Sequence, residues 1–366
     1  MIRKLYFVLA MILGLTFNSC TNDVNEGINA DNSSAQSNTG VEFVTLKSGI
    51  TLTKKDGVYS MGDILLTDEQ VKLLDKTGSP FVPMEKPTLA PLSLPAMTGG
   101  AVIEKGTRSC AVYPNYNLWA MVRFVYAPEG FAKETQLEPY TKYLIQQALR
   151  HWEATTNVRF YNATGQPTHD DKYNIDYPYI YFCNGKGNDS KVGRVGSKQV
   201  IHIAPNQNMG VVVHEIGHAI GLFHEQQRND RDNYVTVNIN NIEKDSRGNY
   251  EKITKNYYNM GGFDFSSIML YSSYDFAIDK GKPTMTKKDG STFVGQRRGL
   301  SDGDRRFPNY FYLPYIARSD TYAELDTVMY DGNNVRLTKA QILEIQAQLN
   351  NGNPNPPANG RIENKF

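Results

Sequence analysis

The stretch that most constrains this chain runs from Val211 to Glu225 and reads V-V-V-H-E-I-G-H-A-I-G-L-F-H-E. It holds three of the six histidines in 366 residues. His214 and His218 are four apart, a spacing that on a helix puts both rings on one face, one turn apart. Two imidazoles so placed can bind one ion, zinc at about 2.0–2.1 Å per nitrogen. Glu215 follows the first of them and can reach a water beside that ion. Gly221, three residues after His218, takes positive φ at little cost and can end the helix sharply. The chain can then turn back under the metal and deliver His224 as a third ligand. H-E-x-x-H alone is short enough to occur on an ordinary helix; the full H-E-x-x-H-x-x-G-x-x-H is far rarer.

The length allows two domains and a sizeable core. With 39 basic and 38 acidic residues the net charge is +1, which gives no reason to expect a nucleic acid or a strongly charged partner. Three cysteines exclude a dense disulfide framework.

Residues 1–20 look like an export signal. Arg3 and Lys4 supply a positive start, and Leu5 to Phe17 is almost wholly apolar. Asn18-Ser19-Cys20 resembles a bacterial lipoprotein signal, in which Cys20 would carry the lipid anchor; Phe17-Asn18 fits that box loosely, so cleavage without lipidation stays open. An extracytoplasmic protein, secreted or anchored at the outer surface, is expected. Residues 21–40, rich in Asn, Ser, Gly and Asp, suit a flexible tether. Val44 to Thr53 reads as strand or extended chain, and a short helix should start at Thr67. Prolines at 80, 83, 87, 91 and 95 favour an extended linker, so a small unit at about 41–78 is strung to something larger.

The larger unit begins near Leu118. Trp119 to Tyr126, Val158-Arg159-Phe160, Tyr179 to Phe182 and Val200 to Ile203 read as strands, with Val192 to Val195 as an edge strand. Tyr140 to Glu153 is an amphipathic helix whose Ile145, Ala148, Leu149 and Trp152 form a core stripe. The histidine helix should run from about Met209 to Leu222. After Gly221 the composition shifts to turns, which suggests two lobes with the metal between them. Ser301 opens a further helix with a capping box, limited in length by Pro308. The tail from about 314 has one helical stretch, Lys339 to Leu349, and no function legible in it.

Two further features narrow the reading. Glu225 directly follows the third histidine, and Ser267-Ile268-Met269-Leu270-Tyr271 lies about forty residues on. H-E-x-x-H-x-x-G-x-x-H-E with S-x-M-x-Y resembles the astacin family of zinc endopeptidases, within the metzincins. Arg228 to Val235, R-N-D-R-D-N-Y-V, and the Val192-Gly193-Arg194 segment strengthen the resemblance, which covers about Leu118 to Tyr312.

The resemblance implies an α+β, two-lobed catalytic domain at 109–313, preceded by a pro-segment at 41–108 and followed by a tail at 314–366. It implies one catalytic zinc ion held by His214, His218 and His224, an apolar floor at Met269, and Tyr271 as a resting ligand that moves to bond the transition state. Glu215 then acts as general base on water attacking a peptide carbonyl, and an extended polypeptide lies along the edge strand. No organic cofactor is needed, and a monomer is expected.

An activating protease should cut near Arg108, since family enzymes start about nine residues before a Leu-Trp pair, here Leu118-Trp119. The new amino terminus would lie near Glu225. Met61-Gly62-Asp63 resembles the F-x-G-D element of family pro-segments, in which the aspartate binds zinc; this assigns Asp63 as the latency switch, with Cys110 as a rival. The animal disulfides are not reproduced, and Cys110 and Cys183 could pair or remain two thiols. Competing readings are a surface adhesin retaining the fold and a metal-dependent hydrolase of something other than peptides; the intact Glu215 argues against the first.

Overall fold

The computed structural model describes residues 40–78, 80, 109–112, 118–128, 136–254 and 257–366. The export signal, the tether as far as residue 39, nearly all of the proline-rich linker and Arg108 lie outside the described residues.

Residues 41–77 fold as four short strands and a helix. β1 (Val41–Thr45) and β2 (Thr51–Lys55) pair antiparallel, where sequence suggested one extended segment from Val44 to Thr53. Ser48-Gly49 breaks that segment. Gly49 sits at φ 84° and its N–H donates to Leu46 O at 2.9 Å, closing a turn that favours glycine. β3 (Val58–Met61) and β4 (Ile64–Leu66) continue the antiparallel meander around Gly62. α1 (Asp68–Thr77) starts at Thr67 as expected, through a reciprocal Thr67–Gln70 capping box. Leu52, Met61, Ile64, Leu66 and Leu74 are buried, and they share one continuous core with the sheet that follows.

That sheet carries the site. After β5 (Ser109–Val112) come β6 (Val122–Tyr126), α2 (Pro139–Thr155), β7 (Phe160–Asn162), a ribbon of β8 (His169–Asp170) and β9 (Ile175–Asp176), β10 (Tyr179–Asn184), β11 (Ser190–Lys191), β12 (Lys198–Ile203) and α3 (Met209–Ile220). β12, β10, β6 and β7 lie side by side in that order, all parallel. Val122, Phe124, Tyr126, Ile180, Phe182, Ile201 and Ile203 fill the core; each fully buried apolar side chain of this size contributes about 1.5–3 kcal/mol over its exposed state. The stripe read from α2 is buried as expected, with Trp152 Nε1 donating to Val213 O on α3 at 3.2 Å.

Past Gly221 regular structure thins, as the composition suggests. Short 3₁₀ turns, the ribbon of β13 (Val235–Val237) with β15 (Met285–Lys287), and β14 (Tyr257–Met260) paired antiparallel to β5 make up the other lobe. α4 (Asp302–Phe311) starts from the Ser301 capping box and continues three residues beyond Pro308. α5 (Lys339–Leu349) matches its expected bounds. The tail packs on the unit that precedes it. Arg159 donates to Asp326 Oδ2 at 2.7 Å, and Asn157 Nδ2 to Tyr330 O at 2.8 Å. At the edge strand β7, Asn162 N donates to Asn364 Oδ1 and Asn162 Nδ2 to Lys365 O.

Three expectations need correction. The edge strand is Ser190–Lys191, before Val192 to Val195: Gly193 at φ 69° bends the chain inward and its N–H donates to His218 O at 2.8 Å. β7 begins at Phe160; Arg159, just before it, still accepts from Val122 N through its carbonyl at 2.9 Å, while its guanidinium turns to the carbonyls of Thr156 and Val158 and to Asp326. β6 begins at Val122, with Trp119 buried outside it and bonded through Nε1 to Ala219 O at 2.9 Å. Cys110 and Cys183 are both buried free thiols, which decides that open pairing.

Candidate metal centre

α3 is capped by Asn208, whose Oδ1 accepts from Val211 N at 3.2 Å. It presents His214 and His218 on one face, with ring centroids 4.8 Å apart. Gly221, at φ 121°, ends the helix, its N–H shared between the carbonyls of Gly217 and His218. The chain turns, and His224 arrives 4.7 Å from His218 and 5.3 Å from His214, centroid to centroid. His214 Nδ1 is 2.9 Å from Ile268 O and His218 Nδ1 is 2.8 Å from Leu222 O. A carbonyl can only accept, so in both rings the proton lies on Nδ1 and the Nε2 lone pair faces the site. Burial holds His214 down at about 4 and His218 well below the usual imidazole range, so both rings are neutral, the ligating form.

The fit to zinc rests on the atoms left over. The Nε2 atoms of all three histidines are buried and without a hydrogen-bond partner among the described residues. Asp63 joins them, Oδ1 3.2 Å from His224 Nε2 and 3.9 Å from His218 Nε2, Oδ2 3.7 Å from His214 Nε2. These four ligand atoms lie within 4.8 Å of one another. Tetrahedral zinc with bonds near 2.1 Å needs ligand atoms about 3.4 Å apart. Three nitrogens and one carboxylate at this spacing fit one zinc ion.

Glu215 is wholly buried, and neither carboxylate oxygen has a partner among the described residues. Burial first, then the Asp63 charge, holds its carboxyl well above the ordinary range. An unpaired buried carboxyl costs free energy that packing alone does not return. Tyr271 donates its hydroxyl to Asp63 Oδ2 at 3.0 Å, and its ring lies 4.5 Å from that of His224.

Met269 lies against the helix where Gly217 leaves room; a Cβ there would sit 2.9 Å from the methionine sulfur. The methionine turn is pinned from α4. Asp304 accepts from Ser267 Oγ at 2.6 Å and from Ile268 N at 2.8 Å, and the Ile268 carbonyl orients His214. Glu225 is buried, accepts from Asp264 N at 2.8 Å, and is pushed up by burial to about 8. Its neighbour Gln226 accepts from Tyr271 N at 3.3 Å.

Every residue assigned from sequence thus belongs to one neighbourhood, Asp63 included, while Cys110 is outside the histidine cluster. Its thiol is raised first by burial and then by the Glu225 charge. Sequence reasoning missed Asp304, Gln226 and Asn249. Asp304 was visible only as the third residue of a capping box, a role it also fills.

The family model for Astacin, a peptidase family, matches residues 113–313. Flavastacin of Elizabethkingia meningoseptica is 31% identical over 92% of this chain and 71% of its own length. Zinc metalloproteinase nas-15 of Caenorhabditis elegans is 30% identical over 58% of this chain and 35% of its own. Protein SpAN of Strongylocentrotus purpuratus is 38% identical over 46% and 28% respectively. The chain therefore spans about a third of the length of these two animal relatives. With a family model over more than half of its residues and an intact three-histidine centre fitted to one zinc ion, the chain belongs to the astacin family and carries the site of a zinc-dependent metalloendopeptidase.

Proposed function

We propose that this chain is the latent precursor of an exported endopeptidase, with residues 41–108 as pro-segment, 109–313 as catalytic unit and Asp63 as the group that keeps it silent. The observation that carries this reading is the Asp63 carboxylate lying among the three Nε2 atoms where a water must otherwise stand. A second supports it: β4 pairs parallel with β11, Ser190 opposite Ile64, so the edge strand is already occupied. Once freed, that edge offers main-chain groups to an extended polypeptide.

Zinc, when bound, supplies a Lewis acid that makes water acidic near neutral pH. Glu215 takes the proton from the attacking water and hands it to the leaving nitrogen. The Tyr271 hydroxyl, released from Asp63, donates to the oxyanion that develops on the carbonyl. Digestion of casein by the processed enzyme should stop in a chelator and return when zinc is added back. Digestion indifferent to the chelator would refute the proposal, and metal-dependent activity confined to non-peptide substrates would favour the rival hydrolase.

Activation is assigned to cleavage near Arg108. Just after it, β5 runs beside the zinc loop: Phe223 N donates to Cys110 O at 2.9 Å and Ala111 bridges Leu222. A cut there leaves the new amino terminus within the same neighbourhood as Glu225, a buried carboxyl that already has Arg228 Nε at 3.6 Å and could take a second cation. Amino-terminal sequencing of active enzyme should read a start close to Ser109, and a start before Pro95 would overturn the assignment. Export, and the choice between secretion and an anchor at Cys20, rest on the leader sequence. No helix among the described residues is long and apolar enough to cross a membrane.

A further inference from the structure

Asn249 lies in the 3₁₀ turn Lys244–Tyr250, buried to 2% exposure, in a segment without periodicity or motif. Its amide is set between three groups of the site. With the amide oriented by its partners, the nitrogen donates to Asp63 Oδ1 and to Met61 O, both at 3.3 Å, and the oxygen lies 3.1 Å from Tyr271 OH, whose one proton it shares with Asp63 Oδ2. Its own carbonyl accepts from Gln226 Nε2 at 3.2 Å, and Gln226 Oε1 accepts from Tyr271 N. Backbone and side chain of Tyr271 are thus both tied to this turn.

The fit to residues 61–63 is close on both sides. A Cβ on Gly62 would fall 1.5 Å from the nearer terminal atom of the Asn249 amide, and Gly62 stands at φ 72°. A Cβ on Gly248 would meet Met61 Cγ at 3.1 Å. Gly62 is therefore required by the Asn249 side chain as well as by its backbone angle. Buried amides with every polar atom paired are rigid, and they orient whatever they pair with.

We propose that Asn249 is a positioning residue that serves this site twice. In the precursor its N–H group seats Asp63 against the histidines, and in the processed enzyme, where Asp63 no longer claims that donor, the amide turns its N–H to the Tyr271 oxygen and leaves the phenol proton for the reacting carbonyl. The proposal rests on residues 41–108 being a pro-segment and on Tyr271 acting in the reaction, and its two halves are tested separately.

For the processed enzyme the test is a double-mutant cycle of Asn249→Ala with Tyr271→Phe. Each single variant should lower kcat by roughly 10- to 100-fold with KM nearly unchanged, and the double variant should match Tyr271→Phe to within about threefold. Losses that multiply, or a loss confined to KM, overturn this half, because a residue that only supports the fold would act in either background. Asn249→Ser runs in parallel, so that misfolding of the alanine variant does not void the cycle. For the uncleaved precursor the test is Asn249→Asp, which keeps the shape and an acceptor for Tyr271 but loses the N–H donors and sets a like charge beside Asp63. It should bind a hydroxamate at least about tenfold more tightly than the parent precursor. No gain, where Asp63→Ala does bind the hydroxamate, overturns the precursor half. If Asp63→Ala is silent too, the pro-segment reading falls and takes this half with it, while the cycle still decides the other.

Discussion

Replacing Glu215 by alanine in the processed enzyme should leave the metal in place and lower peptide hydrolysis by about 10³- to 10⁴-fold, the upper range for loss of one general base. At about 1.36 kcal/mol per tenfold, this is some 4–5 kcal/mol of transition-state stabilisation. Two features argue for so large an effect with so little structural cost. Both oxygens of Glu215 lack partners among the described residues, so truncation breaks no hydrogen bond of the fold and removes a buried carboxyl that burial penalises. The histidines are meanwhile oriented by Ile268 O and Leu222 O, neither of which involves Glu215. Metal content by mass spectrometry and turnover of a quenched peptide decide the matter. A zinc-loaded variant with activity near that of the parent would remove Glu215 from the mechanism.

The second large effect is a gain. Asp63→Ala in the uncleaved chain should raise peptide hydrolysis by about 10²- to 10³-fold over the parent precursor, about 3–4 kcal/mol at 1.36 kcal/mol per tenfold, since it removes the carboxylate that competes with water among the three Nε2 atoms. The change should fall short of full activity. Met61, Ile64 and Leu66 stay buried, and β4 stays paired with β11 across the cleft. Removal of the whole segment should then add a further increment that Asp63→Ala alone does not reach. Cys110→Ala is the control: Cys110 is not in the cluster of Asp63 with the three histidines, so that precursor should remain silent. The reverse pattern, a silent Asp63→Ala and an active Cys110→Ala, would transfer the switch to the cysteine.

What the sequence made legible was what periodicity and local chemistry control. α3, its glycine end, α5, the cap at Ser301 and the buried stripe of α2 all depend on residues within a turn or two of each other. The edge strand was misplaced for a physical reason. Val192 looks like strand and is buried, but Gly193 spends its N–H on His218 O, a contact formed only once α3 is in place. Nor could the sequence show that the Arg159 guanidinium is held by Asp326, 167 positions on. Asp63 was legible only by its likeness to a short motif. Asn249 had no such signal, because its meaning depends on Gly62 and Tyr271, each distant in sequence. Asp304 hid behind a helix cap that accounted for it fully.

The flanks of the central sheet carry a consequence for the life of the enzyme after activation. In the uncleaved chain two edges are covered: β4 lies along β11, which meets the outer strand β12 at the Asp189–His202 bridge, and Asn364 with Lys365 covers β7 through Asn162. Unpaired strand edges are templates for other chains. If residues 41–108 are removed as proposed, β11 is uncovered while β7 stays shut, so catalytic competence and stickiness would begin together. Mature enzyme held without substrate should therefore associate or digest itself through β11 in a way the precursor does not. A peptide that fills that edge should protect it from both fates while it blocks turnover.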